Sequence, residues 1–291
     1  MILALALFME LVVGDPANRW HPVAWFGRWA GWCESFLYAD DQQRGVIAWL
    51  CVIAVPLCLL WIGHALFGWL FDALLLWLSI GWKSLFEHVN AVLQAVRLEA
   101  VQQAVRFIVS RDTADMDMAD VRRAALESLA ENASDAVVAP LFWFALLGPL
   151  GAGLYRMINT LDAMWGYRNP RYQNFGWWAA KTDDAANWLA ARITARLMLW
   201  VGKSANWNDV KAQATTHASP NAGWPEAALA FAADVQLGGP VMRGGVIDDR
   251  PFYGQAQARD IDGAAAFDAL TIVRNTLLLA TGLAFGAGLV C

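Results

Sequence analysis

Charge is scarce in this 291-residue chain: Asp, Glu, Lys and Arg make up 16% of it, where ordinary soluble domains carry about 25%. That excludes a fully water-facing surface. The net charge of −5 excludes the concentrated basic patch that nucleic-acid binding requires. Cysteine is limited to Cys33, Cys51, Cys58 and Cys291, with no CxxC pair. Neither a disulfide framework nor a zinc site is expected from that spacing. The four histidines, His21, His64, His88 and His217, are scattered, which argues against a His-based metal centre. Gly202-Lys203-Ser204 resembles the tail of a phosphate-binding loop, but Leu197 stands where its earlier glycine is required. No Ser/His/Asp spacing suggests a hydrolytic triad. A basic leader is missing as well, so Met1–Val13, apolar except for Glu10, is read as a retained short membrane segment.

What is abundant is apolar. Hydrophobic residues make up 58%, mean hydropathy is +0.38, and there are 17 Trp, a residue that favours the bilayer interface. Val46–Trp82 is long enough for two spanning helices of about 20 residues each, with Gly63-His64 as the expected turn. Arg44 and Lys83 flank its ends and the turn carries no cation, so both ends are expected in the cytoplasm. Val137–Ile158 is broken at Gly148-Pro149. The alternatives are one span or a re-entrant pair of half-helices, and the cationic segment that follows favours the re-entrant form. Leu270–Val290 reads as a last membrane helix. The class expected is an all-α polytopic membrane protein, one integral membrane domain over residues 1–291.

Between these runs the pattern changes. Asp15-Pro16 and His21-Pro22 fix an extended turn before an interfacial helix ending near Tyr38. Residues 83–136 show apolar positions at helical spacing, broken at Ser110–Thr113, and are expected to form an amphipathic cytoplasmic layer. Arg123 and Glu127 are spaced for a surface pair, while Glu127, Glu131 and Asp135 stack on one face, where a divalent cation would relieve their repulsion. Residues 203–269 form a polar loop region, with a helix start at Pro225-Glu226 and turns at Gly238-Gly239-Pro240 and Gly244-Gly245. The stretch Asn159–Arg192 concentrates Asp162, Asp183 and Asp184 with Arg168, Arg171, Lys181 and Arg192, and with Asn159, Asn174 and Asn187. Ionisable groups beside membrane-grade segments are costly unless they pair or do chemistry.

Taken in order, GDPANRWHPV, SRDT, ALESLAENASDAVVAPLFW, YRMINTLDAMWGYRNPRYQNFGW, DDAANWLAAR and SPNAGWPEAALA with LGGPVMRGGV resemble the CobD/CbiB family of cobalamin biosynthesis over nearly the whole chain. The chain departs from the family's usual pattern at Ala136, at Ala190-Ala191-Arg192, over Phe231–Asp234 and at Met242-Arg243. The resemblance implies an integral membrane enzyme, adenosylcobinamide-phosphate synthase. It would condense adenosylcobyric acid with (R)-1-amino-2-propanol O-phosphate, or a related aminoalcohol, using ATP. It also implies an inner-membrane location, a site facing the cytoplasm, and neighbouring cobalamin-biosynthesis enzymes as partners.

That chemistry needs carboxylates for Mg²⁺, cations for phosphates and an aromatic-lined cleft for a flat corrin. Glu131, Asp135, Asp162, Asp183 and Asp184 are the expected catalytic set, with Glu131, Asp135, Asp162 and Asp183 as Mg²⁺ ligands. Arg111, Arg156, Lys181 and Arg192 are expected on phosphates. Asp15, His21, Asn132, Asn159, Arg168, Asn187 and Asn221 complete the substrate side. Two rival classes stand beside this one. Asn159 and Asp162 superficially suggest a polyprenyl-type transferase, but Gly166 sits where that motif's next Asp would fall. Related membrane proteins of the AmpE type share parts of the pattern with a regulatory, non-catalytic role.

Overall fold

The computed structural model describes residues 1–94, 105, 116–203, 206–243 and 245–288. It is almost wholly helical. In chain order the helices are α1 (Ile2–Val12), α2 (Pro22–Leu37), α3 (Gln42–Phe67), α4 (Trp69–Ser79), α5 (Trp82–Gln94), α6 (Met118–Ala133), a π-helical segment (Ser134–Val138), α7 (Ala139–Trp165), α8 (Trp177–Gly202), α9 (Trp207–Ala214), α10 (Gly223–Ala233) and α11 (Gly263–Gly288). Among the described residues, four helical segments are long and apolar enough to cross a membrane: Gln42–Phe67, Trp69–Gln94, Met118–Trp165 and Gly263–Gly286. The protein is therefore an all-α polytopic membrane protein. The break expected at Ser110–Thr113 lies outside the described residues, as does Arg111.

The chain forms two compact units. One comprises Met1–Lys83, Ala139–Asn187 and Ala284–Cys291; the other comprises Ser84–Val138 and Trp188–Leu283.

In the first unit, α3 and α4 form an apolar hairpin. Its turn is at Gly68 (φ 57°, ψ −139°), a conformation that only glycine adopts without strain. This corrects the expected turn at Gly63-His64. Gly63 lies inside α3, where its missing side chain admits the Phe71 ring, and His64 Nδ1 lies 2.8 Å from Asp72 Oδ1 across the hairpin. The second limb is short. α4 has 11 residues and stops at the extended Ile80. Lys83 N–H, at the start of α5, donates to the buried Glu10 carboxylate of α1 at 2.7 Å.

α7 is two limbs. Gly148 is non-helical (φ 70°, ψ −166°) ahead of Pro149, as the sequence predicts. A Cβ placed on Gly151 would come within 2.6 Å of the Trp143 carbonyl oxygen. Residues eight apart in a straight helix are about 12 Å apart along its axis, so the limbs fold sharply back on each other. The second limb packs Met157, Leu161 and Trp165 against Phe26, Ala30 and Cys33 of α2 and Ala48, Val52 and Ile53 of α3. α2 starts as expected, with Pro22 at its first turn and His21 Nδ1 accepting from Val23 N–H at 3.1 Å.

In the second unit, α6 opens with a reciprocal cap between Asp117 and Asp120. α10 packs against α6 and α9 and is buried along nearly its whole length. Two short antiparallel ladders follow, pairing Leu237–Gly238 with Phe252–Tyr253 and Val241–Arg243 with Val246–Asp248. The final helix starts at Gly263, earlier than the apolar run beginning at Leu270 suggests.

Candidate functional site

The polar stretch Asn159–Arg192 is mostly helix. It is the end of α7, a loop over residues 166–176, and α8. Within the first unit the two helices bring predicted site residues together. Asn159 Nδ2 donates to Asp183 Oδ1 at 3.3 Å. Asp183 and Asn187, four residues apart on one face of α8, are both buried. Lys181 Nζ lies 3.7 Å from Asp184 Oδ2. Burial pushes the Asp184 carboxyl above its ordinary pKa, partly offset by Lys181 and Arg168. Asp162 lies one helical turn beyond Asn159. A side chain on Gly166 would collide with its carboxylate oxygen, so glycine there leaves room for that group. Asp15 and His21 also meet, at 3.7 Å, although His21 already caps α2.

The loop over residues 166–176 is fixed by a residue that the sequence reading missed. Glu34 of α2 is buried and accepts from Trp165 Nε1 (3.0 Å), Tyr172 Oη (3.0 Å) and Arg171 Nη2 (2.7 Å). The Arg171 guanidinium stacks on Tyr38 at 4.2 Å, and Asn174 donates to Asp40 at 2.9 Å. This latch holds the segment that carries Arg168. Its only sequence signal is one carboxylate near the end of an aromatic helix.

Arg156, expected on a phosphate, lines an apolar cavity in the same unit. Its Nε is buried without a hydrogen-bond partner.

The second unit holds the other predicted groups. Asn132 Nδ2 donates to the Ser128 carbonyl at 2.9 Å, and Asp135 stands in the π-helical segment, a form frequent at functional sites. Arg192 is sandwiched between Trp188 (4.1 Å) and Trp224 (4.5 Å) and donates to Asn221 Oδ1 at 3.4 Å. The stack continues through Trp207, 5.0 Å from Trp224, to Arg196 at 4.1 Å.

This unit also contains an unexpected buried ion cluster. Arg250 reaches Glu226 at 3.2 Å and Glu127 at 3.5 Å, with both carboxylates 3% exposed. Glu127 also accepts from Gly238 N–H at 2.8 Å, and His217 Nε2 lies 3.3 Å from Arg250 Nη2. Burial works against the guanidinium charge, but Glu226, Glu127, Tyr253 and Glu131 hold its proton more firmly than usual. Arg123 pairs with Asp120 at 2.8 Å, which leaves Glu127 to Arg250.

Among the described residues, no three His, Cys, Asp or Glu side chains form a ready metal-ligand set. Mg²⁺ is commonly held by one or two carboxylates together with substrate phosphates. Asp162 and Asp183 belong to that donor class.

Comparison with known proteins agrees with the sequence motifs. The profile of the CobD/CbiB protein family matches residues 3–273. A protein named cobalamin biosynthesis protein CobD from Sinorhizobium sp. is 40% identical, covering 96% of this chain and 97% of its own. Proteins of the same name from Stutzerimonas stutzeri (42%, covering 89% of each chain) and Brucella suis (38%, covering 100% and 97%) are similar. No solved structure matches.

Proposed function

The chain belongs to the CobD/CbiB family and acts in cobalamin biosynthesis, and from that premise we propose that it is an ATP-dependent amide ligase. Its substrates are adenosylcobyric acid and (R)-1-amino-2-propanol O-phosphate or a related aminoalcohol, and its product is adenosylcobinamide phosphate. The observation that carries this reading is the meeting of α7 and α8 at Asn159 and Asp183, beside the Lys181–Asp184 pair within α8. A buried acid and amide beside an exposed cation are suited to binding phosphates and managing a proton.

A free carboxylate resists attack by an amine because it is anionic and oxide is a poor leaving group. Transfer of the γ-phosphoryl group of ATP to a corrinoid carboxylate oxygen, with release of ADP, removes both obstacles. The amine nitrogen then attacks the acyl carbon, the bond to the phosphate-bearing oxygen breaks, and inorganic phosphate leaves. Mg²⁺, when bound, supplies charge neutralisation for the triphosphate, and Asp162 and Asp183 are the residues that would hold it. Lys181 and Arg168 offer cations to phosphoryl oxygens as charge develops there. Asn159 orients the Asp183 carboxylate. Asp184, whose burial raises its affinity for a proton, takes the proton that the ammonium group of the aminoalcohol loses.

The test is an incubation of the purified full-length protein with Mg·ATP and both substrates. Consumption of adenosylcobyric acid that requires ATP supports the ligase. Corrinoid left intact by folded protein refutes it and favours the regulatory reading.

The site faces the cytoplasm in this account, because the cationic segment beyond the folded-back limbs of α7 returns to that side. A reporter fused within residues 166–176 should give a cytoplasmic signal, and a periplasmic signal overturns the re-entrant topology.

A further inference from the structure

The first unit contains a cavity of about 290 Å³ lined by α2, α3, α4 and the second limb of α7. Its walls include Phe26, Leu60, Leu74, Leu75 and Leu78, and one charged residue, Arg156. The volume is that of roughly ten water-sized groups, and its walls offer water few polar partners. Leu74, partly exposed on the apolar outer surface of the helices, stands at its rim. The wall hydroxyls are already spent as donors. Ser79 donates to the Leu75 carbonyl and Thr160 to the Arg156 carbonyl, each at 2.7 Å. Among the described residues no side-chain hydrogen bond or ion pair reaches the Arg156 guanidinium, and its Nε is fully buried. Arg156 is half-buried, and a cation beside apolar walls favours an anionic partner.

We infer that this cavity takes an acyl chain of an anionic phospholipid, with Arg156 against the lipid phosphate. The guanidinium fork matches phosphate geometry. Among the described residues no Asp or Glu lines the cavity to receive the ammonium of a zwitterionic head group, and Arg156 repels it. That selects a head group of net negative charge. The bilayer supplies such a lipid laterally, past Leu74. This site stands independently of the ligase reading.

The experiment uses the full-length protein, delipidated and reconstituted in vesicles of phosphatidylcholine with a minority of phosphatidylglycerol. Native mass spectrometry after detergent release reads the retained lipid, and thermal unfolding is followed in parallel. Wild type should retain phosphatidylglycerol in preference to phosphatidylcholine, and added phosphatidylglycerol should raise its unfolding temperature. Arg156→Gln should lower that retention roughly tenfold, while Arg156→Lys, which keeps the charge, retains most of it. Leu75→Trp, which fills the cavity, should lose the lipid with Arg156 intact. Equal retention of both lipids by wild type overturns the proposal, and that comparison needs no variant to fold. Undiminished retention by folded Arg156→Gln also overturns it. Oleate held in preference to phosphatidylglycerol would overturn the assignment to a phospholipid.

Discussion

Asp162→Asn should reduce ligase turnover by roughly a thousandfold, the scale on which a preorganised charge contributes to a transition state, while leaving the protein folded and in the membrane. Asp162 lies one turn from Asn159 on the limb of α7 that meets α8, and Gly166 leaves space for its carboxylate. Asparagine keeps the shape and removes the charge. The loss should therefore fall on turnover rather than on thermal stability. Turnover rates of purified wild type and variant decide the matter, read beside their unfolding temperatures. Activity within a fewfold of wild type would move the site away from α7 and α8.

Arg250→Met should have a large effect on stability, about 3–5 kcal/mol, because it takes the guanidinium away from the buried Glu127 and Glu226. Thermal unfolding should show a lower transition for this variant. Replacing Glu127 and Glu226 by Gln in the same chain should recover much of the loss, since the cost lies in uncompensated charge rather than in a missing contact. A loss below about 1 kcal/mol, the range of an exposed pair, would show that water reaches the cluster.

The sequence makes the fold class legible because bilayer thickness constrains it. Runs of about 20 apolar residues and a Gly-Pro break leave few alternatives. Gly148-Pro149 is an example, since the left-handed φ of the glycine and the missing N–H of the proline fall where the pattern stops. The α3–α4 turn was misplaced for an equally physical reason. Gly63-His64 is the polar point of the run, but polarity does not make a turn when His64 has a partner in Asp72 and Gly63 is needed for packing against Phe71. The polar stretch Asn159–Arg192 hid the start of a single helix, Trp177–Gly202, which runs on past Arg192 into apolar residues.

At the site, Asn159, Asp183, Asp184 and Lys181 were legible as residue types gathered beside membrane-grade helices. Glu34 was not. Its partners Trp165, Arg171 and Tyr172 are 131, 137 and 138 residues away in sequence, beyond any local pattern. The same holds for Arg250, which is 123 residues from Glu127.

The reaction course makes the most direct demand on atoms. The purified protein is incubated with Mg·ATP, aminoalcohol phosphate and adenosylcobyric acid carrying ¹⁸O in its reacting carboxylate, and the products are read by mass. One labelled oxygen in inorganic phosphate, with none in ADP, is the result predicted for an ATP-driven ligase acting through an acyl phosphate. Label in AMP, unlabelled phosphate, or no amide at all would contradict it.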